Sequence, residues 1–184
     1  DKVELATILG TLQSTLTKFP YLRKIWQFNT EDERLLGVSL TGIMDNPLTN
    51  SKNKALDKTL EYLRNVAIQT NKEWAKKFGV QRSTAVTCVK PSGTVSQLVD
   101  SASGIHARHS SYYIRTIRAD NKDPITQFML DQGVPAEPDI MKPNNTTVFS
   151  FPISAPKNAI TRNDMTALEQ LEMWLTYQRN WCEH

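Results

Sequence analysis

The sequence predicts an α/β fold, and three observations carry that reading. Short β-branched runs alternate with longer segments whose apolar residues recur at helical spacing. Glycine and proline punctuate the junctions, and no apolar run approaches the roughly 20 residues that a membrane helix needs. Strands separated by helices predict mostly parallel pairing. At 184 residues the chain fits one ordinary domain and can bury a core.

The elements follow in order. Leu5, Ile8, Leu9, Leu12, Leu16 and Phe19 repeat at helical spacing, and Pro20 closes that helix. The stretch from Leu35 to Met44 is apolar with glycines at 37 and 42, which points to tight packing or the sharp start of a short helix. Leu56, Leu60, Leu63, Ala67, Thr70, Trp74 and Phe78 form the clearest stripe, read as core packing, with Gly79 placed to cap it. Thr84 to Val89 is a short β-branched strand that runs into a loop at Lys90-Pro91-Ser92-Gly93. Tyr112 to Arg118 reads as a second strand. A short helix follows, with Asp123 as N-cap, Pro124 at its first position and Gly133 after its last turn. Pro135 to Pro143 reads as a loop, not a domain linker, and Thr146 to Pro152 as a third strand. The final helix is expected to open on a Thr161-x-x-Asp164 variant of the capping box and to run through Met165, Leu168, Leu171 and Leu175. Both ends read as cut, because Asp1 opens straight onto a helical pattern and the chain stops directly after another one.

Composition narrows the function. The formal net charge is +3, with basic and acidic residues interspersed, so no stripe points to direct nucleic-acid binding. Cys88 and Cys182 are the two cysteines, and neither belongs to a CxxC pair. That leaves no disulfide framework and no zinc spacing, and no metal site is expected. A soluble chain of a reducing, cytoplasmic compartment, without a membrane partner, fits these features.

The informative segment is Lys90-Pro91-Ser92-Gly93-Thr94-Val95-Ser96-Gln97. It follows a strand, and α/β folds place ligands at the carboxyl ends of their strands. Gly93 lets a backbone approach an anion closely. Ser92, Thr94 and Ser96 add hydroxyls, and a helix starting just afterwards would present free N–H groups. A Walker loop is excluded, since Gly-Lys-Ser/Thr is absent. From the residues alone, a capped turn is the competing reading.

A resemblance adds to this. Lys90-Pro-Ser-Gly-Thr-Val-Ser-Gln97, then Ser103-Gly-Ile-His106, then Tyr112-Tyr-Ile-Arg115 resemble, in order and spacing, the adenosylcobalamin-dependent (class II) ribonucleotide reductases, nearest to the monomeric ribonucleoside-triphosphate reductase type. Leu36-Gly-Val-Ser-Leu-Thr-Gly42, Val148-Phe-Ser-Phe-Pro152 and Tyr177 to His184 extend the likeness over nearly the whole chain. The resemblance implies a partial segment of the family's ten-stranded α/β barrel. Residues 1–184 would form a single segment of the catalytic barrel domain, truncated at both ends. It implies that Ser92, Gly93, Thr94, Val95 and Ser96 hold the substrate's phosphates. Iron-dependent relatives tend to carry Glu at the third loop position and Gly-Ile-Glu, where this chain has Gly93 and Gly-Ile-His106.

The implied parent enzyme replaces the 2′-hydroxyl of a ribonucleotide, of triphosphate type, with hydrogen. Adenosylcobalamin starts a thiyl radical there, and a thioredoxin-like or dithiol reductant restores a cysteine pair. The family's Asn-x-Cys-x-Glu motif, which bears the radical cysteine and catalytic carboxylate, is absent from this sequence. No catalytic residue is therefore assigned, and the remainder of the same polypeptide is the expected partner. His106 is a possible cofactor or nucleotide contact, with a hydrogen-bonded loop histidine as the alternative. His109, Arg115 and Arg118 read more plainly as structural or solvated groups. Cys88, at the end of a β-branched run, reads as a small buried hydrophobe. Two rival functions stay open: an unrelated phosphate-binding α/β enzyme, and a non-catalytic remnant or binding module.

Overall fold

The structure, a computed structural model, describes residues 1–51 and 53–184. It divides into two compact units, residues 1–108 with 158–184, and residues 109–157.

In the first unit the long helix α4 (Lys54–Phe78) is the main support. Its sequence is rich in Ala, Leu, Lys and Glu, which lose little rotamer freedom in a helix. The Asn53 side chain caps it by accepting from Leu56 N at 2.9 Å, and Gly79, at φ 71°, closes it in the left-handed conformation. Leu56, Leu60 and Ala67 are buried on one face, in a core shared with Met173, Tyr177 and Trp181 from helix α7 (Ala167–Asn180) and its C-cap. Trp74 and Phe78, expected in that core, are only half-buried; their rings pair at 5.6 Å and the Lys77 ammonium lies 4.1 Å from the Trp74 ring centre.

Helix α1 (Lys2–Gln13) departs from the expectation twice. It stops six residues before Phe19, because the Ser14 and Thr15 hydroxyls turn back onto Thr11 O and Leu12 O and compete with further helical bonding. It also buries the opposite face. Leu5, Leu9, Leu12 and Leu16 are exposed, whereas Thr7 and Thr11 are fully buried. The reason is a polar knot on α4: the buried Asn71 donates to Thr11 Oγ1 and to Ser83 Oγ, both at 3.0 Å, and accepts from Ser83 N at 2.9 Å. A buried amide must be satisfied, and it draws the threonine face inward. Helix α2 (Lys24–Glu33) carries no strong apolar stripe, and the sequence reading does not include it.

Strands β1 (Val38–Ser39) and β2 (Thr87–Cys88) pair in parallel, Val38 against Thr87 and Ser39 against Cys88. The segment after α7 locks β2 from its other side. Trp181 Nε1 donates to Cys88 O at 2.7 Å, Thr87 Oγ1 donates to Trp181 O at 2.6 Å, and the Glu183 carboxylate accepts from Val86 N at 2.8 Å and Thr87 N at 3.2 Å. After β1 the chain turns at Gly42 (φ 70°) into a single 3₁₀ turn, Ile43–Asp45, followed by the short helix α3 (Pro47–Asn50). The four-residue helix α5 (Val95–Leu98) follows β2.

The second unit is a three-stranded sheet in the order β3 (Tyr112–Asp120), β5 (Thr146–Ser154), β4 (Ala136–Pro138). Both pairings are antiparallel, so the expectation of mostly parallel strands fails among the described residues. The cause is topological. β3 and β4 run parallel to one another through helix α6 (Pro124–Asp131), as an alternating pattern requires, but the chain then makes a short hairpin that inserts β5 between them. β4 itself lies inside the proline-rich stretch read as a loop. Asp123 caps α6 by accepting from Ile125 N at 3.0 Å, as expected. Arg118 donates to Asp139 Oδ2 at 2.8 Å, and Asp139 Oδ1 accepts from Met141 N and Lys142 N, both at 3.0 Å. The Arg118 hydrogen bond, more than these two N–H bonds, holds the Asp139 carboxyl below the usual carboxylate range.

The α7 cap lies five residues beyond the expected one. Thr166 Oγ1 accepts from Glu169 N at 3.3 Å, while Glu169 Oε2 accepts from Thr166 N at 2.8 Å. Thr161 and Asp164 close a separate turn of their own, with Thr161 N donating to Asp164 Oδ2 at 2.8 Å. Thr166→Ala is expected to destabilise the chain by about 1 kcal/mol, or roughly 2–4 °C in Tm. Thermal melts followed by circular dichroism check this, and an unchanged midpoint would show that the reciprocal cap is dispensable.

Candidate functional site

The loop after β2 is built against two other segments of the first unit, residues 41–45 and 100–106. Its entry is fixed by Lys90 N, which donates to Ser39 Oγ at 2.9 Å, and by the Lys90 carbonyl, which packs on Gly104. Gly104 has φ 54°, and a Cβ there would sit 3.0 Å from that carbonyl oxygen, so a side chain is excluded on both counts.

Ser92 is the centre of a hydroxyl cluster. Its Oγ lies 2.6 Å from Thr41 Oγ1 and accepts from Gly104 N at 2.9 Å, while Ser92 N donates to Ser103 Oγ at 3.3 Å. Thr41 Oγ1 also accepts from Gly104 N at 3.0 Å and donates to Ala102 O at 3.1 Å. Ser96 is fully buried and its hydroxyl donates to the Ser92 carbonyl. Gly93, Thr94 and Val95 are exposed, and among the described residues their N–H groups and the Thr94 hydroxyl meet no protein acceptor. The five candidate residues thus divide: Ser92 and Ser96 are spent inside the protein, and the donors from 93 to 95 face outward.

His106 is exposed, and its N–H donates to Ser103 O at 2.9 Å; its ring meets no hydrogen-bond partner among the described residues. It lines a cavity of about 160 Å³ with Val89, Lys90, Pro91, Ser103, Gly104 and Ile105. His109, in the second unit, stacks edge-on against Tyr113 at 5.7 Å.

The floor under this loop comes from residues to which the sequence reading assigned no role. Arg108, 3% exposed, donates to both carboxylate oxygens of Asp45, through Nε at 2.9 Å and NH2 at 2.8 Å. It also donates to Asp100 O at 2.9 Å, and Asp45 Oδ2 accepts from Ala102 N at 2.7 Å. This pair ties the 3₁₀ turn to the segment carrying Ser103 and Gly104. Sixty-three positions separate the partners, so no local spacing signals the pair. Thr41 and Ser103 do lie inside the recognised motifs, but nothing in either motif shows that they meet at Ser92.

Cys88 is 2% exposed, and burial pushes its thiol up; burial likewise pushes up the half-buried Cys182 thiol. Both are therefore poor thiolates near neutral pH.

No family model matches the chain. The adenosylcobalamin-dependent ribonucleoside-triphosphate reductase of Euglena gracilis is 30% identical to it over 151 residues, covering 82% of this chain and 21% of that protein. The same-named enzyme of Lactobacillus leichmannii is 25% identical, covering 100% of this chain and 29% of its own length. A crystal structure of a B-12-dependent (class II) ribonucleotide reductase superposes with a TM-score of 0.81 at 24% identity, over 100% of this chain and 29% of that one. The chain is a relative of the class II ribonucleotide reductases. Its mixed helix and sheet arrangement is that of a partial segment of the class II reductase catalytic domain, which bears out the α/β expectation and the resemblance carried by the motifs. The chain spans only 21% to 29% of the length of these class II relatives.

Two outcomes follow. Arg108→Ala leaves the Asp45 carboxylate without its partner and is expected to cost about 3–5 kcal/mol, read as a lowered urea midpoint, whereas replacing both residues by apolar ones of similar volume should cost less. Iodoacetamide should modify Cys88 and Cys182 at least about tenfold more slowly in the folded chain than in urea at pH 8, with the folded-state rate still rising above the ordinary thiol pKa of about 8.5. Equal rates in the two states would show that the thiols are not held up by burial.

Proposed function

We propose that the chain is the part of an adenosylcobalamin-dependent ribonucleoside-triphosphate reductase that holds the substrate's phosphates. The observation that carries this is the outward set of donors, Gly93 N, Thr94 N, Val95 N and Thr94 Oγ1, at the carboxyl end of a strand in a parallel pair. The named relatives, whose reaction the whole polypeptide would share, support the same reading. Backbone N–H groups and a hydroxyl suit a polyanion, which needs donors and gains little from further acceptors.

In this reading the loop binds the triphosphate and so fixes the ribose that the phosphates carry. Bound adenosylcobalamin supplies the radical chemistry. The cavity beside His106, about 160 Å³, is well below the roughly 300–1,000 Å³ of an ordinary ligand pocket. The residues around it do not fit a corrin. The raised Cys88 and Cys182 thiols likewise do not suit a reducing pair, so the radical cysteine and the pair recharged by a thioredoxin-like or dithiol reductant belong to other parts of the polypeptide. His106, exposed at the mouth of its cavity, is left as a nucleotide contact.

The test is Thr94→Ala in the complete polypeptide, assayed for 2′-deoxynucleotide formation with adenosylcobalamin and a dithiol. Removing one charge-assisted hydrogen bond of roughly 1.5–3 kcal/mol should lower kcat/KM for the triphosphate by about ten- to a hundredfold. The exposed Thr59→Ala on α4 should leave it unchanged. Activity that does not need adenosylcobalamin, or wild-type kcat/KM in Thr94→Ala, would reject the reading.

A further inference from the structure

We infer that Thr41 is the positioning residue of the phosphate loop, acting through Ser92; the inference rests on the phosphate reading above. The argument is a count of hydrogens. A hydroxyl has one hydrogen to donate and two lone pairs to accept with. Gly104 N reaches both Thr41 Oγ1, at 3.0 Å, and Ser92 Oγ, at 2.9 Å, and uses one lone pair of each. Thr41 gives its own hydrogen to Ala102 O at 3.1 Å. The remaining contact, 2.6 Å between Thr41 Oγ1 and Ser92 Oγ, needs one hydrogen, and the assignment that keeps every one of these contacts takes it from Ser92. Its other acceptor, Ser103 Oγ, lies at 3.5 Å, at the limit of a useful bond.

Ser92 therefore donates inward to Thr41 and has nothing to give an anion. Its free lone pair would repel a phosphate oxygen. The Thr41 hydroxyl thus converts Ser92 from a candidate ligand into a strut, and leaves gripping to the N–H groups of residues 93–95 and the Thr94 hydroxyl. It also fixes where those groups stand. The Ser92 carbonyl accepts from Ser96 N at 3.2 Å and from the Ser96 hydroxyl, so the turn that carries residues 93–95 is closed on the residue that Thr41 holds. Without the Thr41 oxygen, the Ser92 hydroxyl is free to rotate outward and the turn loses its tie to residues 41–45.

The experiment titrates inorganic tripolyphosphate into the ¹⁵N-labelled full chain and follows the amides of Gly93, Thr94, Val95 and Gly104. The Trp181 indole N–H, bonded to Cys88 O at 2.7 Å, reports whether the fold persists. In the wild-type chain the amides of residues 93–95 should shift and saturate. Thr41→Val, close in shape but without the oxygen, should weaken that binding about tenfold or more, while Thr41→Ser restores it to within about threefold. Ser92→Ala should match Thr41→Val, and the double variant should be no weaker than either single one, because the two residues act as one unit. If the wild-type amides do not move, the phosphate reading falls and this inference with it. Wild-type binding kept in Thr41→Val overturns the inference alone. So does a failure of Thr41→Ser to rescue, or additive losses in the double variant. If Thr41→Val disturbs the indole signal, the Thr41→Ser comparison decides by the same criterion.

Discussion

Asp45 and Arg108 are charges that can stay buried only together. Taking each from water costs several kcal/mol, and their fork-to-fork hydrogen bonds offset that cost only while the geometry is kept. The pair is therefore less a source of net stability than a constraint on shape. Any conformation that separates residues 41–45 from 100–108 breaks both fork hydrogen bonds and strips the Asp45 carboxylate of its cation, so the turn after Gly42 and the segment carrying Ser103 and Gly104 are held to one arrangement. The hydroxyl cluster at Ser92 stands on that arrangement. The loop after β2 is short and only partly buried; its shape is borrowed from the ion pair beneath it.

How much of this was legible in the sequence depended on whether the signal was local. The stripe from Leu56 to Phe78 with its Gly79 stop, the Asp123-Pro124 start of α6, and the β-branched runs at 112 and 146 each declare themselves within a few residues, and each forms. The Thr166–Glu169 cap is as local as the Thr161–Asp164 pair, and because both satisfy the same spacing, spacing alone does not tell the helix cap from the turn before it. Long-range features were not legible. The antiparallel pairing followed from a strand, Ala136–Pro138, whose proline and glutamate look nothing like a strand, and that lets β5 slot between its neighbours. The loop from Lys90 to Gln97 was visible as a motif, but which of its hydroxyls face outward depended on Thr41 and Gly104, residues known to be near only once the chain is folded.

A serine- and threonine-rich loop is easily read as a set of equivalent ligands. Here the same functional group does two different jobs, set by where its single hydrogen goes. The hydroxyls of Ser92 and Ser96 stabilise the turn, while that of Thr94 is left for solvent or a ligand. The backbone, which carries no sequence signature, supplies most of the outward donors. Substitutions at 92 and at 94 therefore differ in kind, one altering shape and the other affinity.

Helix α1 shows another division between sequence pattern and function. Its leucines point away from the unit that it packs on, and its inward face is fastened by Thr11 and Asn71. Hydrogen-bonded contacts of this kind carry a heat-capacity change of opposite sign to hydrocarbon burial. The polar share of this interface therefore does not weaken on cooling as the leucine core around α4 and α7 does. The attachment of α1 should thus vary less with temperature than the leucine core beside it.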